Sequence, residues 1–510
     1  MGEHIREKLM TTDLRAPLND LPELAQDLGN YIGGRWESDE AETFAAINPA
    51  TGGELARLPL STRETARRAV AHAKAAQPAW ARLSTWDRAT LCASIGDAIA
   101  AATDDLARIL SMEQGKTLAE ATGEVTATAH GFHMSAELVR YMTGEVQTGQ
   151  TPDRLFLTQR HPRGVYAVIT PWNYPVMIPG EYLAPAIATG NAVVWVPAPT
   201  TSLVAAALMR VIASVGLPDG LINLVLGQGA VVGDEIVGHE DVQGIGFTGS
   251  TRTGKSVAER GAGKPMLLEL GGNGPVIVRR DADLDLAAEA AALGAFMNSG
   301  QICAATGRVL ADSAIAGELA EKIAEIARSH KPGDPLHQGT TMGPLNNAAV
   351  VQKTREHVDE AIAAGARCIA GGHGLPDLGS DLFYAPTVLV DVTPDMRVAR
   401  EETFGPVVPV IALDGDDELL RVANDTEYGL TMAIFSRDME RAMAMSTELS
   451  AGIISINAHT VTWETHMPLG GASGTKSGIG RLGGRHTIEA MTEMRMVTIP
   501  APRFAGKDKG

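Results

Sequence analysis

Between residues 61 and 140 apolar side chains recur at three- and four-residue intervals, as in Leu106, Ile109, Leu110 and Leu118, among many Ala, Arg and Glu residues. That spacing follows the 3.6-residue period of a helix with one buried face, so the stretch predicts successive amphipathic helices. From Gly164 the rhythm changes. Short apolar runs at Val165–Ile169, 191–196, 221–226 and 244–247 alternate with helical stretches around 183–188, 202–215 and 230–237. Alternating strands and helices with Gly-rich joints predict a parallel sheet covered on both faces, a fold that binds ligands at the carboxyl ends of its strands.

A second alternating block runs from Pro275 to about Asn457, with predicted strands at 276–278, Thr387–Val390, 407–411 and Ile453–Ile456. Two further strand-like segments, 154–159 and 494–500, lie outside both blocks and suit an arm whose strands pair for subunit contact. There is no internal repeat and no low-complexity tract.

A chain of 510 residues exceeds one ordinary core and suggests about three domains. Its 43 basic and 61 acidic residues give a net charge of −18, which repels nucleic acid and anionic membrane surfaces, and no basic run reverses it. No stretch is long and apolar enough to span a bilayer, and residues 1–30 lack the features of a signal peptide. The three cysteines, Cys92, Cys303 and Cys368, are too few for a disulfide framework and suit a reducing cytoplasm, where a special cysteine acts as a thiol. The histidines show no HExxH pattern and no Cys/His cluster, so no metal is expected.

Cys303 follows a break at Asn298-Ser299-Gly300, where a helical run ends and exposes what comes next. A catalytic cysteine needs an accessible thiol and nearby donors or positive charge. Alone, a free cysteine beside Ala304 and Ala305 reads as a small core residue. Glu269 ends an apolar strand before Gly271-Gly272, where burial would raise its pKa toward that of a general base, although such a residue also serves as a cap or ion-pair member. Asn173, between two prolines after the strand that begins at Val165, offers an amide to an oxyanion or simply makes a turn. Residues 249–256 satisfy the GxxxxGK[ST] phosphate-loop pattern, and the run Thr387 to Asp391 ends in an Asp suited to magnesium. A P-loop NTPase is therefore an alternative. A helix N-terminus at the same place would equally hold a dinucleotide pyrophosphate, and Gly229 and Gly233 add a second glycine-rich joint.

The segments TPWNYP (170–175), GFTGSTRTG (246–254), LELGGN (268–273), NSGQIC (298–303) and EETFGP (401–406) stand in the order and approximate spacing of the aldehyde dehydrogenase superfamily, which the chain resembles from about Tyr31 to Pro500. The resemblance implies an α/β protein with a Rossmann-like cofactor-binding domain (1–150 and 160–274), an α/β catalytic domain (275–480) and a β oligomerisation arm (151–159 and 488–502) that joins homodimers or homotetramers. It implies hydrolytic oxidation of an aldehyde with NAD or NADP, Cys303 as nucleophile, Glu269 as base for water, and Asn173 with the Cys303 backbone N–H as the oxyanion hole. On the cofactor side it implies Ile169, Thr170, Pro171 and Trp172, then Gly229, Gly233 and Phe247. Gly249 and Ser250 would meet the pyrophosphate, and Leu270, Gly271, Glu402 and Phe404 the nicotinamide half. A non-catalytic cofactor-binding relative remains a further alternative.

Two departures stand out. Relatives carry a ribose-gripping Lys before the Pro-Ala/Ser pair, but here Val196 precedes Pro197, and Pro199 replaces the acidic residue that repels a 2′-phosphate. NAD and NADP therefore both stay open. The loop 472–476 is longer than usual, which leaves the placement of Lys476 unfixed. Near the implied aldehyde entrance, Glu181, Trp463 and Glu464 predict preference for a neutral or amino-aldehyde, unless Glu181 turns to solvent or pairs with a base.

Overall fold

The computed structural model describes residues 21–38, 40–150 and 154–500. Residues 151–153, 501 and 502 of the predicted arm lie outside the described residues. In the early helical stretch, Thr62, Ser84 and Thr117 cap the helices Arg63–Ala81, Thr85–Ala101 and Leu118–Arg140, each accepting a backbone N–H three residues on. Thr117 and Glu120 complete a reciprocal capping box. Leu106, Ile109 and Leu110 are buried on the Thr103–Gln114 helix. Leu118 is 37% exposed, contrary to the periodic reading. Gly115, at φ +101°, ends the earlier helix in the left-handed region, so the period does not carry across it.

The first alternating block builds an eight-stranded sheet in the order Gly478–Ile479, Met266–Glu269, Gly244–Thr248, Val165–Ile169, Ala192–Val196, Ile222–Leu224, Asn30–Ile32, Arg35–Glu37. The strands from Met266–Glu269 to Ile222–Leu224 pair in parallel, and antiparallel strands close both edges. The predicted strand 221–226 shortens to Ile222–Leu224. The predicted helix 183–188 spans Met177–Thr189 and is buried on nearly all sides, which erases the amphipathic signal that would mark its start. The predicted helix 230–237 divides into a π turn, Gly229–Gly233, and the helix Asp234–Gly238.

The second block forms a seven-stranded sheet ordered Arg367–Ala370, Thr387–Val390, Val407–Leu413, Thr306–Asp312, Gly274–Val278, Thr431–Phe435, Ile453–Ile456, parallel except at its first pair. Thr492–Pro500 and Arg154–Pro162 do pair, antiparallel over nine residues, with Val146–Thr148 beside them. Among the described residues no helix is long and apolar enough to cross a membrane.

Candidate active site

The carboxyl ends of the parallel strands of the first sheet carry the motif residues. Ile169 leads to Thr170, Pro171, Trp172 and Asn173, and the Trp195 indole N–H donates to Thr170 Oγ1 at 2.8 Å, which fixes that turn. Phe247 is buried in Gly244–Thr248, and after Gly249 the side chain of Ser250 caps the helix Thr251–Arg260 by accepting from Thr253 N. The free N–H groups and positive dipole end of this helix suit a pyrophosphate. The P-loop reading does not survive. Lys255 is exposed, 4.0 Å from Glu259, while Asp391 belongs to the other sheet and pairs with Arg367.

Backbone proximity explains the glycines of LELGGN. A Cβ on Gly272 would lie 2.1 Å from the Cys303 carbonyl oxygen, and one on Gly271 would lie 3.1 Å from a Glu402 carboxylate oxygen. Only glycine lets the end of the Met266–Glu269 strand touch the Cys303 loop. Gly272 N donates to Glu402 Oε1 at 2.9 Å, and Leu270 is buried beside it. Trp172 and Phe404 meet edge to face with centroids 5.5 Å apart, and Phe404 has φ +62°. Gly233 faces Ile169, whose Cδ1 would be 3.3 Å from a Cβ there, while Gly229 opens the π turn with free space beside it. These residues fit a dinucleotide laid across the strand ends.

Cys303 follows the helix Leu284–Phe296 and the turn Met297–Gly300, in which Asn298, Ser299 and Gly300 are all left-handed. Two consecutive non-glycine residues in that region cost roughly 1–2 kcal/mol each. Hydrogen bonds offset the strain: Asn298 N donates to Glu120 Oε1 at 2.7 Å, Ser299 Oγ to the Gly343 carbonyl at 2.8 Å, and Gln301 Nε2 to the Asn298 carbonyl at 2.9 Å. The turn presents Cys303 to a cleft of about 550 Å³, walled by Asn173, Tyr174, Met177, Ile178, Val461 and Trp463. Asn173 Nδ2 donates to the Gln301 carbonyl at 3.0 Å, which orients the amide and leaves its second N–H for another acceptor.

Electrostatically the site is dominated by carboxylates, with Glu269 buried and Glu181 and Glu402 half-buried. Burial pushes the Cys303 thiol up, the charges of Glu402, Glu269 and Glu181 add to this, and the Ala304 N–H opposes it. The sequence reading asked for positive charge or donors near the thiol, and the surroundings supply mainly the reverse. Glu269 is buried and neither of its oxygens has a hydrogen-bond partner. Burial holds it well above the usual carboxylate range, Glu181 raises it further, and Arg481 opposes. Burial also lifts Glu402 to about 7, against the Gly272 N–H.

Glu181 neither turns to solvent nor meets a base. It accepts from the Trp463 indole at 2.6 Å, its other oxygen is buried without a partner, and burial raises it to about 7. Trp463 lines the cleft. Glu464 does not, because its side chain is 64% exposed and lies 3.6 Å from His466. Val196 is wholly buried in the core, and Lys476 pairs with Glu427 at 2.5 Å. Sequence reasoning missed the polar cluster of buried Lys116 and Glu124 and half-buried Glu120 beside Asn173. Its one readable signal was the Thr117-x-x-Glu120 capping box.

A profile of the aldehyde dehydrogenase family matches residues 36–497. The chain is 39% identical over 472 residues to 3-sulfolactaldehyde dehydrogenase of Pseudomonas putida, a match covering 92% of this chain and 96% of that one. It is 36% identical over 471 residues to the NADP(+) succinate-semialdehyde dehydrogenase of Escherichia coli, covering 92% and 97%. A crystal structure of betaine aldehyde dehydrogenase from Staphylococcus aureus in complex with NAD+ superposes with a TM-score of 0.91 at 32% identity, covering 96% of this chain and 98% of that one.

Proposed function

Because the chain belongs to the aldehyde dehydrogenase family, whose NAD(P)-dependent oxidation of aldehydes it performs, we propose that Cys303, Asn173 and Glu269 carry that reaction on an uncharged, largely apolar aldehyde. The observation that supports the assignment is the close approach of Gly272 to the Cys303 carbonyl, which fits the electrostatic influence of the unpaired Glu269 carboxylate on the thiol. The Cys303 thiol loses its proton to solvent, Sγ attacks the aldehyde carbon as the C=O π bond opens, and the resulting oxyanion receives the second Asn173 amide N–H and the Cys303 backbone N–H. The bound cofactor would supply the hydride acceptor that lets the thiohemiacetal on Cys303 collapse to a thioester. Glu269 then takes a proton from water, the resulting hydroxide adds to the thioester, and Cys303 leaves as thiolate while the carboxylic acid departs. Glu402, Phe404 and Trp172 would hold the nicotinamide half, and Ser250 with its helix N-terminus would hold the pyrophosphate.

The eight-stranded sheet with its flanking helices serves as the cofactor-binding domain and the seven-stranded sheet as the catalytic domain. With Val196 buried and Pro199 uncharged, the adenosine end neither repels nor selects a 2′-phosphate, so both NAD and NADP serve.

The substrate reading rests on charge. No Lys, Arg or His is among the described residues lining the cleft. Its carboxylates are already engaged: Glu120 accepts from Asn298 N and Thr117, and Glu124 from Val176 N, Met177 N and Lys116. Succinate semialdehyde and 3-sulfolactaldehyde, for which two relatives are named, carry an anionic group that would find no cation here. In a panel of matched chain length, kcat/KM for an uncharged aldehyde should exceed that for the carboxylate-bearing one by about tenfold or more, with either cofactor. Preference for the carboxylate would overturn the substrate assignment and leave the chemistry standing.

The arm exposes Val146, Leu155, Met494, Met496 and Ile499, an apolar edge suited to a second copy of the chain in a homodimer or homotetramer. Met496→Asp should lower the sedimentation coefficient of the assembly, and an unchanged value would place the interface elsewhere. Three free cysteines fit a reducing cytoplasm as the working compartment.

A further inference from the structure

The Lys116 ammonium and the Glu124 carboxylate form an ion pair whose side chains are wholly shielded from solvent. Burying two charges is costly unless every remaining donor and acceptor is used, so the placement of those bonds shows what the pair holds. Glu124 Oε1 accepts from Val176 N at 2.8 Å and Met177 N at 3.0 Å. The helix Met177–Thr189 has no capping side chain of its own, so a carboxylate from the Leu118–Arg140 helix supplies the cap. Lys116 Nζ donates to the Asn173 main-chain carbonyl at 2.9 Å and sits 3.8 Å from the centre of the Tyr174 ring. The same carbonyl accepts from Asn298 Nδ2 at 3.1 Å, which ties it to the turn that presents Cys303.

Asn173 is thus gripped from below through its backbone, while its side-chain amide is aimed above by the Gln301 carbonyl. Residues 174–176 link this grip to the capped helix, whose first residues, Met177 and Ile178, wall the cleft. We propose that Lys116, neutralised by Glu124, is a positioning residue of the reaction: it fixes the Asn173 backbone so that the amide points at the aldehyde oxygen on Cys303. This rests on the reading of Asn173 as the oxyanion donor. An oxyanion donor acts only when its N–H is already aimed, and an error near 1 Å costs orders of magnitude in rate, so the residue that sets its backbone governs turnover without touching substrate.

The test is a kinetic cycle on the full-length enzyme. Lys116→Met should lower kcat by about 10- to 100-fold, while the cofactor KM and the rate of Cys303 alkylation by iodoacetamide, which needs no oxyanion, stay within about threefold of the parent. In an Asn173→Ala background the same substitution should change kcat by less than about threefold, because its effect passes through Asn173. Losses that multiply in the double variant, or alkylation that falls with turnover, would reveal a general structural role and overturn the proposal. If Lys116→Met does not fold, Lys116→Met with Glu124→Gln removes the stranded charge while the glutamine carbonyl still caps the helix, and the same readouts apply. Should neither variant fold, the pair serves the fold itself and the proposal falls. Asn173→Ala alone tests the underlying reading: near-parental kcat there would remove the oxyanion role itself, whereas a large loss there with none at Lys116 would remove only the positioning role.

Discussion

Cys303→Ala should stop aldehyde-dependent reduction of NAD or NADP, with a loss on the order of 10⁴-fold or more, because among the described residues lining the cleft beside Asn173 there is no other thiol and no serine or threonine hydroxyl. The fold should survive. Cys303 sits in a turn held by Asn298, Ser299 and Gln301, and its sulfur is not among the atoms that hold it. Cofactor binding should also persist, since Ser250, Glu402 and Phe404 lie on other segments; quenching of tryptophan fluorescence on cofactor addition can report it, with Trp172 packed against Phe404. Near-ultraviolet absorbance of the reduced cofactor measures the turnover. A variant retaining more than about one-hundredth of parental activity would show that the reaction does not pass through a covalent Cys303 intermediate.

Glu269→Gln should separate the two halves of the reaction. Thioester formation needs the thiol and the oxyanion donors, whereas hydrolysis needs a base, so the first turnover should still yield a burst of reduced cofactor while steady-state turnover falls by about 10²- to 10³-fold. Loss of the burst together with turnover would mean that Glu269 acts before the thioester. The raised pKa sets the pH dependence. Glu269 works as a base only when ionised, and burial with the neighbouring Glu181 delays ionisation far beyond the usual carboxylate range. The hydrolytic rate should therefore climb with pH well above that range, and the glutamine variant should lose this limb.

Stability should move the opposite way. A carboxyl whose folded pKa exceeds its unfolded value holds its proton more tightly in the native state, so stability is fully present below the unfolded pKa and falls as pH rises toward the folded one. The glutamine variant should therefore melt at or above the parental temperature at pH 8, with the difference closing near pH 5. A variant that melts well below the parent at pH 8 would mean that Glu269 has a partner in solution.

The fold was legible where local chemistry and period agreed. The strands Val165–Ile169 and Thr387–Val390 end where the apolar runs end, because each is buried on both faces for most of its length, and Ile453–Ile456, a half-buried edge strand, stops at Asn457 with its left-handed backbone. Legibility failed at Leu118, where Gly115 resets the helix, and at Met177–Thr189, whose burial on nearly all sides leaves no polar stripe to mark its first turn. The phosphate-loop pattern misled for a related reason. A Gly-rich turn before a helix is a local object, and whether an Asp-ended strand stands beside it depends on which sheet that strand joins.

By itself the sequence determined the alternating α/β architecture, the pairing of the arm strands, and the segments that carry Cys303, Glu269 and Asn173. Period, turn chemistry and motif order are properties of short stretches of chain. Only the tertiary structure decided that Gly272 lies against the Cys303 carbonyl, that Glu181 is sealed behind Trp463, that Glu464 faces outward, and that Lys116 reaches 57 residues along the chain to hold Asn173. These are contacts between segments distant in sequence. A buried charge shows its partners only after the chain has closed around it, since desolvation and pairing are properties of the assembled core.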